Sequence, residues 1–195
     1  MSKLVHIRSS IEYQSGDHWL VPTSTVGEEA APDASNCTPP EVRRKVQWLR
    51  NHGSVPRGSY WLRLEVVNDS PVTLTLEGID LERYERFPPT SGRSEVLCLE
   101  GSGDVGSQYI ALDLSSHPPS FQFYDDAHSK TTSFTFAPAR NAPAIAYIVM
   151  GSEGSPLDPP ERHRYRWTMR LRYSLDGRSY SQLIDDDGRP FEVTA

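Results

Sequence analysis

The chain has 195 residues, enough for one domain with a sizeable core. Apolar residues make up 36%, and 16 prolines with 13 glycines point to many turns rather than long helices. A formal net charge of −6 argues against a nucleic-acid binder, and no run approaches the roughly 20 apolar residues of a membrane-spanning helix.

Met1-Ser2-Lys3 is not followed by a long apolar stretch or a small-residue cleavage site, so the expected location is cytoplasmic. Cys37 and Cys98 are the two cysteines. They could form one bridge, but a single pair makes no disulfide scaffold, and two free buried thiols are the plainer expectation.

Leu4 to Tyr13 reads as a broken or bulged strand, and Trp19-Leu20-Val21 as a short one ending at Pro22. Residues 23–37 lose all periodicity and read as an irregular surface loop. The one clear helix follows at 38–52. Thr38 is its N-cap, Pro39 occupies the first helical position and Glu41 completes a capping box. Val42, Val46 and Leu49 form a narrow apolar stripe with Trp48 beside it, and Gly53 ends the helix. Such a stripe is expected to pack on an edge or end of a sheet.

Tyr60 to Val67 alternates as a strand, and Val72 to Leu76 returns after Asn68-Asp69-Ser70-Pro71. Glu77-Gly78 reads as a further turn before a strand from Ile79 to Phe87, whose second half is polar on both faces and belongs at an edge. A Gly/Ser-rich stretch from Ser91 to Gly106 contains the apolar island Val96 to Leu99. Gln108 to Leu114 alternates again, and Phe121–Tyr124 and Ser133–Phe136 are further strand candidates. Ala144 to Met150 is the most apolar run and should be a central strand. Residues 151–160 form a second irregular loop.

The last thirty residues carry the strongest pattern. Tyr165, Trp167, Met169, Leu171 and Tyr173 alternate with Arg164, Arg166, Thr168, Arg170 and Arg172, which places large apolar groups on one strand face and four arginines on the other. Asp176-Gly177 turns the chain into Ser179 to Ile184. Asp185-Asp186-Asp187-Gly188 then leads to Phe191-Glu192-Val193. Some other sheet must cover the apolar face of this meander. About nine short, mainly antiparallel strands with one amphipathic α-helix give an all-β fold, a β-sandwich in a single domain over 1–195.

The run Tyr165-Arg-Trp-Thr-Met-Arg-Leu-Arg-Tyr173 and the ending Ile184-Asp-Asp-Asp-Gly-Arg-Pro-Phe191 resemble an uncharacterised actinobacterial β-rich domain. So do Gly16 to Pro22, Val46 to Gly53, Val55 to Val66, Glu85-Arg-Phe-Pro-Pro89 and Tyr109 to Leu114, which together span most of the chain. In that group the domain often follows a helix-turn-helix domain or a transmembrane segment, and neither is read in these 195 residues. The resemblance implies a sensory or interaction module and supplies no mechanism.

Chemistry-bearing constellations are few. Asp185, Asp186 and Asp187 could offer oxygens to Ca²⁺, but their spacing does not follow the alternating EF-hand loop, and an Asp-Gly turn is the plainer reading. Asp125, Asp126 and His128 with His117 or His163 lack tetrahedral metal-site spacing. Gly101-Ser-Gly-Asp-Val-Gly106 has the letters of a dinucleotide fingerprint but precedes a strand rather than a helix. Glu82 and Glu85 could flank a glycosidic bond, though charged strand ends are commonplace. The arginine stripe, Arg164, Arg166, Arg170 and Arg172, is the most distinctive polar feature. It is either neutralised within the fold by acids such as Glu65, Glu77, Glu82 or Asp80, which is preferred, or it recognises an acidic surface or anionic ligand.

The expectation is a non-catalytic binding module with a protein partner or anionic ligand and no cofactor. Its sites are sought at the stripe and at the loops Thr23–Asn36 and Gly101–Gly106. A small hydrolase acting on a polar or carbohydrate substrate and a component of a larger assembly are the competing readings.

Overall fold

The structure, a computed structural model, describes residues 5–12, 18–23, 30–34, 36–58, 60–97, 109–114, 116–125, 129–131, 140, 143–151 and 163–194. Among them are thirteen strands and one helix. The first half holds β1 (Val5–Glu12), β2 (His18–Pro22), α1 (Pro39–Asn51), β3 (Val55–Arg57), β4 (Tyr60–Asn68), β5 (Leu74–Phe87) and β6 (Gly92–Val96). The second holds β7 (Tyr109–Asp113), β8 (Ser120–Tyr124), β9 (Lys130–Thr131), β10 (Pro143–Gly151), β11 (Arg164–Leu175), β12 (Arg178–Ile184) and β13 (Phe191–Thr194).

Alternation explains the two sheets. The first runs β1-β4-β10-β7-β8-β9, with β10 in its interior between β4 and β7, as its apolar sequence requires. In the second, β5 pairs along the whole of β11 from Leu74↔Leu175 to Phe87↔Arg164. The other edge of β11 is therefore shared end to end by β12 (Met169–Leu175) and β13 (Arg164–Trp167). From β13 the sheet continues through β3 and β2 to β6. Pairings are antiparallel except β10 with β7 and β13 with β3.

The sheets close over one core. Tyr165, Trp167, Met169 and Leu171 of β11 are buried with Leu62, Leu64 and Val66 of β4, Ile110 and Leu112 of β7, and Ile148 and Met150 of β10. Each fully buried side chain of this kind contributes about 1.5–3 kcal/mol. The sandwich expected from the sequence is the fold found, with more strands than nine. β3 and β6 escaped notice because Val-Pro-Arg and Gly-Arg-Ser-Glu-Val carry no apolar alternation.

One expected turn is absent. Glu77-Gly78 lies inside β5, a single strand of 14 residues. Register slips where Arg172 faces Gly78 and Tyr173 faces Leu76, so Glu77 is the extra residue of a bulge. A Cβ on residue 78 would stand 2.9 Å from the tip of the half-exposed Arg172 side chain, which would have to move aside to admit it. The polar second half of β5 does lie on an edge strand, and its alternating charges discourage further pairing.

The helix starts where its capping residues say. The Thr38 N–H donates to the Glu41 carboxylate at 3.4 Å, and the Asn36 amide donates to the same group at 3.2 Å. Val42, Val46, Trp48 and Leu49 are buried against Trp19 and Val21 of β2 and against Leu97, forming a second, smaller core. Lys45 fixes the helix to β6 through the Val96 carbonyl (3.0 Å) and Glu95 (3.3 Å). Gly53, at φ 65, ends it.

Cys37 is disulfide-bonded, which corrects the expectation of free thiols. Sequence separation says nothing about spatial approach, so this could not be read from the chain. The other cysteine, Cys98, lies outside the described residues, as do the strand candidate at Ser133–Phe136 and the loop Gly101–Gly106. Most of the 151–160 loop and residues 24–29 and 35 of the first loop also lie outside them. No described helix is long and apolar enough to cross a membrane.

Candidate functional site

The arginine stripe divides into two pairs. Alternation puts all four guanidinium groups on the outer face of β11, and neighbouring strands supply acids to each. Arg170 makes a two-pronged contact with Glu82 of β5, at 2.7 and 2.8 Å, and also reaches Ser181. Arg172 pairs with Asp80. The Arg170 hydrogen bonds hold the Glu82 carboxyl below its ordinary range, and Glu82 in turn raises Arg170. Glu82 and Asp80 were among the expected partners, whereas Glu65 pairs with Arg63 instead.

Arg164 and Arg166 share Glu192 of β13, which lies across from Arg166 in register. Glu192 Oε2 accepts from Arg164 Nη2 at 2.7 Å, and Oε1 accepts from Arg166 Nε at 2.6 Å. Phe87 lies under both guanidinium groups, 5.6 and 5.2 Å from the two Cζ atoms. This ring supports them by cation–π attraction.

These two arginines belong to a cleft of about 460 Å³. Its other walls come from the end of α1 (Arg50), from Trp19 of β2, from Ser54 and Pro56, and from the turn between β12 and β13 (Asp186, Arg189). The turn is held locally. Asp186 and Arg189 exchange backbone hydrogen bonds of 2.8 and 3.1 Å, and the Asp185 carboxylate accepts from the Gly188 N–H at 3.0 Å. Asp187 and Gly188 have φ of 53 and 83, the left-handed conformation that Asp and Gly tolerate. Arg50 Nη2 reaches Asp186 Oδ1 at 3.1 Å and locks helix to turn.

A second cavity of about 480 Å³ is lined by residues that include Ser9 and Ser10 of β1, Gln47 of α1 and Asp185, Asp186 and Asp187. Ile11, Arg50 and Asp186 line both cavities. The Arg50–Asp186 contact is therefore part of the walls of both.

The weaker candidates resolve differently. Asp185 serves the turn and Asp186 pairs with Arg50, so the acidic run is built as a turn. Arg86 donates to His117 Nε2 at 3.2 Å and to His163 Nδ1 at 3.1 Å, so the two histidines meet around a cation. Asp125 accepts from the Ser129 N–H within its own loop, and Asp126 and His128 lie outside the described residues. Among the described residues no group of three or more His, Cys, Asp or Glu is placed to hold a metal.

Sequence reasoning missed Arg50, Arg189, Trp19 and Ser54 as wall residues. They come from four places in the chain and share no spacing, so only the fold brings them together. No protein-family model, curated protein or solved structure matches this chain.

Proposed function

We propose that the protein is a non-catalytic binding module whose site is the arginine-walled cleft beneath the end of α1. One observation carries this reading. In a chain with a net charge of −6, the described residues that line this one cavity include four arginines, Arg50, Arg164, Arg166 and Arg189, and two carboxylates, Asp186 and Glu192, with Glu85 3.8 Å from Arg166 beside it. Such a cluster favours an anionic group, which guanidinium forks recognise with direction as well as charge. The sheets around the cleft give it a rigid frame.

The hydrolase reading has less support. A general-acid carboxyl needs a raised pKa, and Glu82, one of its two candidates, is shifted the other way by Arg170. The disulfide at Cys37 fits an oxidising compartment better than the cytoplasm.

Two variants test the placement. Arg164→Ala/Arg166→Ala alters the cleft, and Arg170→Ala/Arg172→Ala alters only the half of the stripe outside it. A ligand or partner protein bound by wild type should be lost from the first and kept by the second. Equal binding by both folded variants would remove the cleft from consideration.

A further inference from the structure

We infer that the protein forms a twofold dimer in which the outer edges of two β12 strands pair antiparallel and join the second sheets of two copies. The inference does not depend on the cleft. β12 ends the second sheet, and among the described residues it pairs with β11 alone. Its other side therefore presents a row of backbone N–H and C=O groups, a template for a further strand.

That row is held in place. β12 keeps register with β11 from Leu175↔Arg178 to Met169↔Ile184 without a bulge. Gln182 Nε2 donates to the Ile7 carbonyl of β1 at 3.4 Å, and the Ser9 hydroxyl donates to the Asp185 carbonyl at 3.3 Å. The strand is thus tied to the first sheet as well.

Edge strands are usually blunted by charge, proline, bulges or shortness. Here β5 alternates charges, β1 carries Arg8 and Glu12, β6 carries Arg93 and Glu95, and β9 has two residues. From Ser179 to Ile184, β12 has none of these devices. It carries instead Tyr180 and Leu183, 44% and 43% exposed, two of the three large apolar side chains exposed among the described residues. Register puts Tyr180 on the face of Tyr173 and Leu183 on the face of Arg170, so both faces of the strand offer apolar surface.

A second copy fits this edge by symmetry. In an antiparallel pair about a twofold axis at Ser181, Tyr180 lies across from Gln182 of the second copy, and Leu183 from its Ser179. Arg178 is the one charged residue of the strand. The two Arg178 side chains then fall at opposite ends of the pair, each across from Ile184 of the other copy and next to its Asp185. Like charges of the strand never face each other, and each end brings a cation toward a carboxylate. Asp176 stands in the turn before Arg178, outside the paired length. Because pairing uses up the β12 edge, assembly closes at two copies. One strand from each copy is a small interface, so the dimer should dissociate on dilution, with a Kd of about 10–100 μM.

The experiment is analytical ultracentrifugation of the full chain from about 1 to about 500 μM, a range that brackets this Kd. Wild type, Ser181→Lys, Arg178→Glu and Arg93→Glu are compared, each checked for fold by circular dichroism, and Ser179→Lys replaces Ser181→Lys if that variant does not fold. None of these residues lines the cleft, so failure here leaves the binding-module reading intact. The expected result is a reversible doubling of mass. Ser181→Lys sets two like charges against each other on the axis and should weaken dimerisation by about fivefold or more. Arg178→Glu should weaken it by about threefold, as loss of exposed ion pairs does. Arg93→Glu, on the β6 edge, should leave it unchanged. A monomer throughout the range, growth beyond the dimer, or a dimer kept at full strength by the folded lysine variant overturns the inference. Equal weakening by Arg93→Glu overturns it too, and an unchanged or tighter Arg178→Glu dimer overturns the antiparallel orientation.

Discussion

Arg50 on the last turn of α1 and Asp186 in the β12–β13 turn, 136 residues apart, meet at 3.1 Å with side chains only 20% and 21% exposed. The contact ties the helix to the sheet whose outer face carries the arginines. Both residues also line the cleft, so the contact acts on stability and on the shape of the site at once.

A double-mutant cycle on this pair should give a coupling of about 1 kcal/mol, toward the upper end for ion pairs that keep some water contact. Arg50→Ala, Asp186→Ala and the double variant would be unfolded in urea. The two single variants should each lose more than half of what the double loses, because either one alone already removes the contact. Additive losses would mean that the contact contributes nothing.

Trp167 is the centre of the main core. It is fully buried, with the Phe191 ring 5.9 Å away across the β11–β13 pairing. Trp167→Ala leaves a cavity that two hydrogen-bonded sheets cannot collapse to fill, and should cost about 3–5 kcal/mol in urea unfolding. Tyr180→Ala, on an exposed strand, should cost far less. A similar loss in both would contradict the placement of the core.

Gly92 opens β6 against β2, and a Cβ there would stand within van der Waals overlap of the Val21 carbonyl oxygen. That neighbour is backbone in a paired strand and cannot swing aside. Gly92→Ala should therefore destabilise by about 1–3 kcal/mol, as overpacking does. Thermal unfolding of the variant checks it, and an unchanged midpoint would show that β6 does not pair with β2 at this register.

The disulfide of Cys37 adjoins the start of α1, whose first turn rests on Thr38 and Glu41. Reduction, or Cys37→Ser, should lower stability by about 2–5 kcal/mol by releasing a constraint on the unfolded chain. Urea unfolding with and without reductant measures this. An identical midpoint in both would mean that the bond is not formed in solution.

The sandwich was legible because period-two alternation is written into β4, β7 and β11, and the helix because Thr38, Pro39, Glu41 and Gly53 mark its ends. Gly78 was misread because a glycine inside a bulge and a glycine in a turn look alike until the partner strand is known. The site was half legible. Arg164 and Arg166 stood out by their spacing, and the pairing of Arg170 and Arg172 with β5 followed from like charges needing acids on one face. Arg50, Ser54 and Arg189 did not stand out, because a wall assembled from a helix end, the residue after a helix-ending glycine and a strand turn has no local signature.

The Glu82–Arg170 pair gives stability a defined dependence on acid. Glu82 ionises below its ordinary value of 4.5 in the folded chain because Arg170 donates two hydrogen bonds to the charged form. A depressed folded value means that the unfolded chain binds the proton more readily. The contribution is therefore complete above pH 4.5 and disappears as pH falls through the lower folded value. Glu82→Gln should accordingly unfold at a lower temperature than wild type near neutral pH, and the gap should narrow on acidification below 4.5. Both carboxyl and guanidinium are more than a third exposed, so added salt should narrow the same gap at neutral pH. A gap that stays constant from neutral to strongly acid solution would show that the variant acts through packing and that the ion pair adds nothing.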